Sequence, residues 1–192
     1  MSSTRKHTRT RDRVFLISES LVVVVSYRRV GRNIFKTLIF TIVVPGTVGV
    51  YVPYRLRGPG PHAVSAFGWL GLAPVAVGVA AYLWCAWDFA TFGRGTPLPL
   101  DAPKQLVARG LYRFVRNPMY VGVLLAILGQ ALWFGSVATL CFALAVALSF
   151  HVFVVFYEEP ALRRKFGEPY VEYSKTVSRW IPKPAAKPAP AR

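Results

Sequence analysis

The polar groups with the chemistry of a binding site stand at the edges of long apolar runs in this sequence. The stretch GLYRFVRNPMYVG, at 110–122, places two arginines and an asparagine directly before a proline and an uncharged segment. The acid pair Glu158–Glu159 ends another apolar run. Charged groups beside hydrocarbon are costly unless they are paired or used for function. The two groups therefore predict either an interfacial ion pair or the polar walls of one cavity.

His151 is a further candidate for acid–base chemistry, because it lies inside the same apolar run as the acid pair. It precedes Glu158 by seven residues, a spacing that puts both side chains on one face of a regular helix. A helix that ends at Glu158 and Glu159 also needs a cationic partner, because its C-terminal dipole disfavours negative charge. Three arginines are candidates for that ion pair: Arg113, Arg116 and Arg163. The cysteines and histidines show no metal-ligand spacing, so we expect no metal site.

Four apolar runs must position these groups. They occupy residues 37–54, 65–92, 119–134 and 137–157. A helix needs about 20 apolar residues to cross a bilayer, with a range of about 17–25, and the run at 119–134 is slightly short. We predict an all-α polytopic membrane protein with about four transmembrane helices. The last two would form a tight C-terminal helical hairpin, because the turn between them is brief.

Charge is segregated from the apolar runs along the chain. The formal net charge is +16, although 54% of the residues are hydrophobic. Of the 24 Lys and Arg residues, 22 lie in segments 1–36, 93–118 and 158–192, which four spans would bring to one side. Positive segments face the cytoplasm. The pattern predicts cytoplasmic termini and attraction to lipid headgroups, and it argues against nucleic acid as a partner.

The ends of the chain differ in composition from its middle. Three regions are expected: a basic cytoplasmic N-terminal extension at 1–36, a membrane domain at 37–182 and a disordered Pro/Ala/Lys-rich tail at 183–192. Near the end of the membrane domain, Tyr170, Tyr173 and Val177 share one face of a short helical pattern. That amphipathic helix either lies on the membrane surface or caps a site on the cytoplasmic side.

Two motifs on either side of the hairpin resemble a known superfamily. GLYRFVRNPMYVG at 110–122 and EEPALRRKFGEPYVEY at 158–173 are similar to motifs of the isoprenylcysteine carboxyl methyltransferase and phospholipid methyltransferase superfamily. The resemblance covers about 37–182 and is specific from 97 onward. It implies an integral-membrane enzyme that uses S-adenosylmethionine to methylate a carboxyl or amine group of a lipid-soluble acceptor. That acceptor would be a membrane lipid or an isoprenoid-like molecule.

The resemblance also implies a cofactor pocket that opens to the cytoplasm. The positions that match cofactor-contacting residues of the family are Lys104, Gln105, Leu106, Val107, Tyr112, Asn117, Pro118, Met119, Tyr120 and Glu158. Arg116 or Asn117 would bind the cofactor carboxylate. Glu158 or Glu159 would bind its ammonium or a ribose hydroxyl. Tyr112 or Tyr120 would pack against the sulfonium. Glu159 and His151 are the candidates for a base if the acceptor is an amine.

Two other functions fit parts of the pattern. A membrane reductase of the sterol reductase type has a similar C-terminal pattern and binds NADPH, but those proteins are usually larger, and the acid pair favours methyl transfer. A non-catalytic lipid-binding membrane module would keep the fold without the chemistry. The sequence has no glycine-rich dinucleotide fingerprint, so the cofactor would not be held as in the usual soluble enzymes.

Overall fold

The described part of the protein is built from five helices. The computed structural model describes residues 35, 38–58, 64, 67–91, 106 and 108–182. The helices are α1 (Leu38–Leu56), α2 (Leu72–Thr91, after a 3-10 turn at Gly68–Gly71), α3 (Pro118–Phe134), α4 (Val137–Phe166) and α5 (Glu168–Thr176). Within these ranges the only β-type pairing is a single bridge, so the predicted all-α class is confirmed. The N-terminal extension, apart from one residue, and the 183–192 tail lie outside the described residues.

Three of the helical segments are long and apolar enough to cross a membrane. They are Leu38–Leu56, Gly68–Phe89 and Val137–Phe166. The remaining predicted span, at 119–134, corresponds to α3, which is apolar but shorter, with 17 residues. The polytopic membrane character predicted from the sequence is therefore confirmed, whereas the number of four spans stays a prediction.

Helices α2 and α3 pack with their backbones in close contact along two pairs of glycines. A Cβ atom added at Gly122 would lie 2.7 Å from the carbonyl oxygen of Gly78, and one added at Gly129 would lie 2.5 Å from that of Gly71. Such separations exclude any larger residue without movement of the backbone. Small residues at these positions allow the close helix approach that is common in membranes. This packing fixes α3, which carries several candidate site residues at its N-terminal end.

Helices α3 and α4 form the predicted C-terminal hairpin. Gly135 has φ +59°, a left-handed conformation that ends α3, and its amide donates to the carbonyl groups of Ala131 and Leu132. The Ser136 hydroxyl then caps α4 by accepting from the Thr139 amide at 3.2 Å. It also donates to the carbonyl of Leu56, at the end of α1, at 2.9 Å. The hairpin turn and the end of α1 therefore lie at the same end of the bundle.

A π-helical turn interrupts α4 just before Pro160. The turn spans Val154–Glu158, and the amide of Glu159 donates to the carbonyl of Val154. Proline has no amide hydrogen and its ring displaces the carbonyl four residues earlier, so a wider turn relieves the conflict. The same arrangement of a π-helical turn followed by a proline recurs in α1, where the turn at Thr47–Tyr51 precedes Pro53.

This turn corrects two expectations about the acid pair. The fourth apolar helix does not end at Glu158 and Glu159, because it continues through the π-helical turn to Phe166. His151 and Glu158 also do not share a face: His151 is exposed, whereas Glu158 is partly buried and lines an internal cavity. The seven-residue spacing assumed regular α-helical geometry, and a π-helical turn advances less per residue.

Helix α5 caps the bundle, as one of the two sequence-based alternatives proposed. Tyr170 is only 2% exposed, and the Tyr173 hydroxyl donates to the carbonyl of Tyr112 at 2.7 Å. The tyrosines therefore contact protein and do not serve as free anchors in the membrane interface. The loop before α3 comprises residues 110–117. After α5 the residues Val177–Trp180, here called the C-terminal strap, run beside this loop.

Candidate functional site

A cavity lies between α1, α2, the loop before α3, α3 itself and the π-helical turn of α4. Its volume is about 130 Å³. A single buried water needs only about 10–15 Å³ by the same kind of measure, so the space admits part of an organic ligand. The lining residues are Phe40, Val44, Pro45, Val48, Tyr82, Phe89, Tyr112, Arg116, Asn117, Met119, Tyr120, Val123, Phe150 and Glu158. Aliphatic and aromatic groups make up most of the wall, with a few polar groups at the end near the loop before α3, here called the loop end.

Glu158 is the acidic residue in the cavity wall. The hydroxyl of Tyr120, from the first turn of α3, donates to Glu158 Oε2 at 2.9 Å. The ring of Tyr120 packs against Phe150 with a centroid separation of 4.6 Å. The π-helical turn thus presents a carboxylate to the cavity, and α3 orients that carboxylate through a neutral donor.

Glu159 belongs to a different group of side chains, although it is the next residue. It is 8% exposed and accepts from Arg179 through both oxygens, at 2.7 Å from Nε and 2.9 Å from Nη2. Arg116 Nη1 lies 3.0 Å from the same Oε1 atom. Two guanidinium groups therefore surround one buried carboxylate. Arg116 is one of the three arginines that the sequence suggested as an ion-pair partner.

Arg116 takes part in both groups. Its Nη1 atom contacts Glu159, while the residue also lines the cavity. Its Nε atom is buried and has no hydrogen-bond partner in the described structure. A buried donor without a partner is costly unless water or a ligand satisfies it. Arg116 therefore contributes to the cavity wall, while its Nε atom is enclosed by protein.

The loop before α3 is held by two hydrogen bonds to the C-terminal strap. The Arg116 amide donates to the Ser178 carbonyl at 2.8 Å, and Asn117 Nδ2 donates to the Arg179 carbonyl at 3.1 Å. Asn117 is 8% exposed and has φ −124° and ψ 52°, which is less extended than the following proline would favour. Its amide nitrogen is therefore engaged with the strap, which leaves Arg116 as the better placed donor to a ligand carboxylate.

Tyr112 stands at the loop end of the cavity and is 8% exposed. Burial raises the pKa of the Tyr112 phenol well above its ordinary value, and burial also raises the pKa of Tyr173. Both phenols stay neutral at physiological pH as a result. Tyr112 packs against the fully buried Cys85 of α2 and, edge to face, against Phe89 at a centroid distance of 5.6 Å.

Six of the residues implied as cofactor contacts meet in this cavity. They are Tyr112, Arg116, Asn117, Met119, Tyr120 and Glu158. Pro118 is buried at the first position of α3 and is not part of the wall, and Leu106 is partly buried away from it. Lys104, Gln105 and Val107 lie outside the described residues. The binding role of each residue stays a prediction.

The two residues suggested as bases lie outside the cavity wall. Glu159 is held by Arg116 and Arg179, and His151 Nδ1 accepts from Trp180 Nε1 at 3.1 Å on the exposed side of α4. Neither side chain is among the lining residues. Sequence spacing predicted that both residues lie near Glu158, but it could not show which way each side chain points. Their catalytic roles stay predictions that this arrangement does not favour.

Several lining residues were not recognised from the sequence. Four come from α1: Phe40, Val44, Pro45 and Val48. The sequence predicted them only as parts of an apolar span, because an apolar pattern does not distinguish residues that line a cavity from residues that contact lipid.

Arg179 was also not recognised from the sequence. Its only signal was a basic residue directly after the amphipathic helix, where many arginines simply face water.

Asp88 forms a second buried acidic position at the loop end of α2. It is 4% exposed, and Arg109 Nε lies 3.7 Å from its Oδ1 atom. A Cβ atom at Gly110 would lie 2.5 Å from Asp88 Oδ2, so a glycine is required where the loop passes this carboxylate. Gly110 also has φ +55°, which glycine adopts without strain. Asp88 therefore holds the start of the loop and is not part of the cavity wall.

Residues 67–169 match the family model described as phospholipid methyltransferase. The match covers more than half of the chain and runs from the start of the 3-10 turn before α2 to the first turn of α5. It includes the loop before α3, the hairpin and the acid pair. The chain belongs to the phospholipid methyltransferase family, which confirms the resemblance drawn from the two motifs.

Curated relatives show the same similarity over a shorter region. The chain is 36% identical over 78 residues to protein-S-isoprenylcysteine O-methyltransferase A of Arabidopsis thaliana, covering 40% of this chain and 39% of that protein. It is 40% identical over 78 residues to protein-S-isoprenylcysteine O-methyltransferase of Schizosaccharomyces pombe, covering 40% of this chain and 33% of that protein. An uncharacterized protein of Haemophilus influenzae is 33% identical over its whole length. The matched region is thus at most two fifths of the named methyltransferases.

Proposed function

We propose that this protein transfers a methyl group from S-adenosylmethionine to a lipid-soluble acceptor at the cytoplasmic face of a membrane. The observation that carries the proposal is a cavity whose wall includes both Arg116 and Glu158 near the loop before α3 of an apolar helix bundle. Membership of the phospholipid methyltransferase family supports it. The named relatives act, by their names, on protein isoprenylcysteine.

The residues around the cavity fit the cofactor. Arg116 would donate to its carboxylate, because this residue lines the cavity and a guanidinium group binds carboxylates well. Glu158 would accept from its ammonium, since a carboxylate in a confined site binds cations through charge-assisted hydrogen bonds. The rings of Tyr112 and Tyr120 would contact the sulfonium. When bound, S-adenosylmethionine supplies an electrophilic methyl group. The protein residues then need only bind and orient the two reactants.

The apolar part of the wall supports a lipid-soluble acceptor. Residues of α1, α3 and α4 contribute to this apolar wall. Many neighbouring side chains on α1 are exposed on the outside of the bundle. A carboxyl acceptor needs no base, whereas an amine acceptor must lose a proton. Glu158 is the carboxylate in the described wall that could accept one, because the oxygens of Glu159 already bind two guanidinium groups.

Ligand binding by the purified protein in detergent tests the proposal. We expect S-adenosylhomocysteine to bind in calorimetry and to raise the thermal unfolding midpoint, because a ligand that binds only the folded state stabilises it. NADPH is expected to have no effect. Stabilisation by NADPH alone would favour a reductase, and stabilisation by neither ligand would favour a non-catalytic lipid-binding module. Mass spectrometry of host membrane lipids, with and without the protein, would then identify a species heavier by one methyl group.

A further inference from the structure

The C-terminal strap contacts the loop that carries Arg116 and Asn117. Ser178 accepts from the Arg116 amide at 2.8 Å, and the Arg179 carbonyl accepts from Asn117 Nδ2 at 3.1 Å. Trp180 Nε1 donates to His151 on α4 at 3.1 Å. The strap therefore joins α4 to the loop that carries Arg116, although its residues do not line the cavity.

The charged contact within the strap has a specific geometry. Arg179 binds both oxygens of Glu159, and Arg116 reaches the same carboxylate through Nη1 alone. Arg179 occupies the two-pronged position on Glu159, so the contact of Arg116 with that carboxylate is end-on, and Arg116 also lies within hydrogen-bond reach of Tyr170. A guanidinium group otherwise prefers to bind a carboxylate with two parallel hydrogen bonds.

We propose that Arg179 is a positioning residue that keeps Arg116 available to the ligand in the cavity. This inference rests on the proposed function, in which Arg116 binds the cofactor carboxylate. Without Arg179, a single guanidinium would remain beside the buried Glu159 carboxylate. Arg116 would then turn to bind both oxygens and would move out of the cavity wall. Arg179 acts through Glu159 and Arg116 and does not touch the ligand.

A double-mutant cycle tests this coupling. Arg179→Ala is expected to weaken S-adenosylhomocysteine binding about tenfold, the scale of losing a charged hydrogen-bond partner. Arg116→Ala should weaken it at least as much, and the double variant should bind no more weakly than Arg116→Ala alone. Additive losses, or normal affinity in Arg179→Ala, would overturn the proposal. Where Arg179→Ala does not fold, Arg179→Lys carries the same comparison, since it keeps the charge but cannot bind both oxygens in one plane.

Lys175→Ala is the matched control, because it removes a cation from an exposed ion pair with Glu172 on α5, at 3.2 Å. We expect that variant to bind normally. A second readout needs no ligand: hydrogen–deuterium exchange of 110–117 should accelerate in Arg179→Ala and not in Lys175→Ala, because the Arg116 amide bonds to the strap. Unchanged exchange would refute the positioning role by itself. Failure of the unaltered protein to bind S-adenosylhomocysteine would instead refute the proposed function.

Discussion

At the scale of single residues, two adjacent glutamates have different surroundings. Glu158 lines the cavity and accepts from the neutral Tyr120, whereas Glu159 is buried between Arg116 and Arg179. A one-residue step along a helix turns a side chain through about 100°, so adjacent residues need not face the same surroundings. We therefore assign the proposed ligand binding to Glu158 and structural support to Glu159.

Substitution of each glutamate should show this division. Glu158→Gln is expected to weaken S-adenosylhomocysteine binding by about 1–3 kcal/mol, because the carboxylate that meets the ammonium is lost. Its thermal unfolding midpoint should change little. Glu159→Gln should instead lower the midpoint clearly, because it leaves two guanidinium groups around a neutral partner. Calorimetry and thermal unfolding in detergent measure both effects. An unchanged dissociation constant in Glu158→Gln would remove the binding role from Glu158.

Arg116 offers a second test at this scale. Arg116→Lys keeps the positive charge beside Glu159 but lacks the planar set of donors that grips a carboxylate. We expect the variant to insert into membranes normally and to bind S-adenosylhomocysteine more weakly, whereas Asn117→His should retain binding. If Arg116→Lys inserts and binds normally, the arginine serves only as an ion-pair partner of Glu159.

At the scale of helices, proline-linked π-helical turns shape the cavity. Val48 in the turn of α1 and Glu158 in the turn of α4 both line it. In α1 the turn also leaves the carbonyl of Gly49, four residues before Pro53, to accept from Gln130 Nε2 on α3. This bond explains a polar side chain inside an apolar helix, because the freed carbonyl needs a donor.

Replacement of Pro160 tests the role of the turn in α4. Pro160→Ala restores the missing amide hydrogen and should let α4 close with regular α-helical bonds, which rotates Glu158 away from the cavity. We expect weaker S-adenosylhomocysteine binding, because the carboxyl group of Glu158 would leave the cavity wall. Pro169→Ala, in the first turn of α5 where proline is tolerated, is the control. Unchanged affinity in Pro160→Ala would show that the turn does not set the position of Glu158.

At the scale of the whole molecule, the bundle has two chemically different ends. The loop before α3, the acid pair and the C-terminal strap meet at one end. At the other end the α3–α4 turn contacts the end of α1, and Trp133 packs near Trp69 with a centroid distance of 6.1 Å. The segments richest in Lys and Arg, among those described, adjoin the first end, which supports a cytoplasmic site.

Reporter fusions test this orientation. Fusions after residue 60 and after residue 182 are expected to report opposite sides of the membrane, with the second fusion cytoplasmic. The reason is the concentration of 22 of the 24 Lys and Arg residues in the three segments assigned to that side. A cytoplasmic signal from both fusions would contradict the arrangement of the spans.

The sequence alone determined the helical membrane class, the hairpin and the identity of most polar residues at the site. Apolar run length and charge asymmetry predict spans because the bilayer imposes a fixed thickness and every backbone group must bond within the helix. The motifs around Arg116 and Glu158 also indicated the family, because they carry the polar groups of the cavity in a recognisable order.

Only the tertiary structure decided which acid faces the cavity and which basic group neutralises the other. The π-helical turn before Pro160 changed the helical phase, so the predicted face shared by His151 and Glu158 was wrong. Arg179 meets Glu159 across a sequence separation of 20 residues because α5 and the strap fold back over the loop. The part of the cavity wall that α1 contributes likewise depends on packing between segments that are distant in the sequence. Such contacts follow from how the whole chain packs, and local spacing does not encode them.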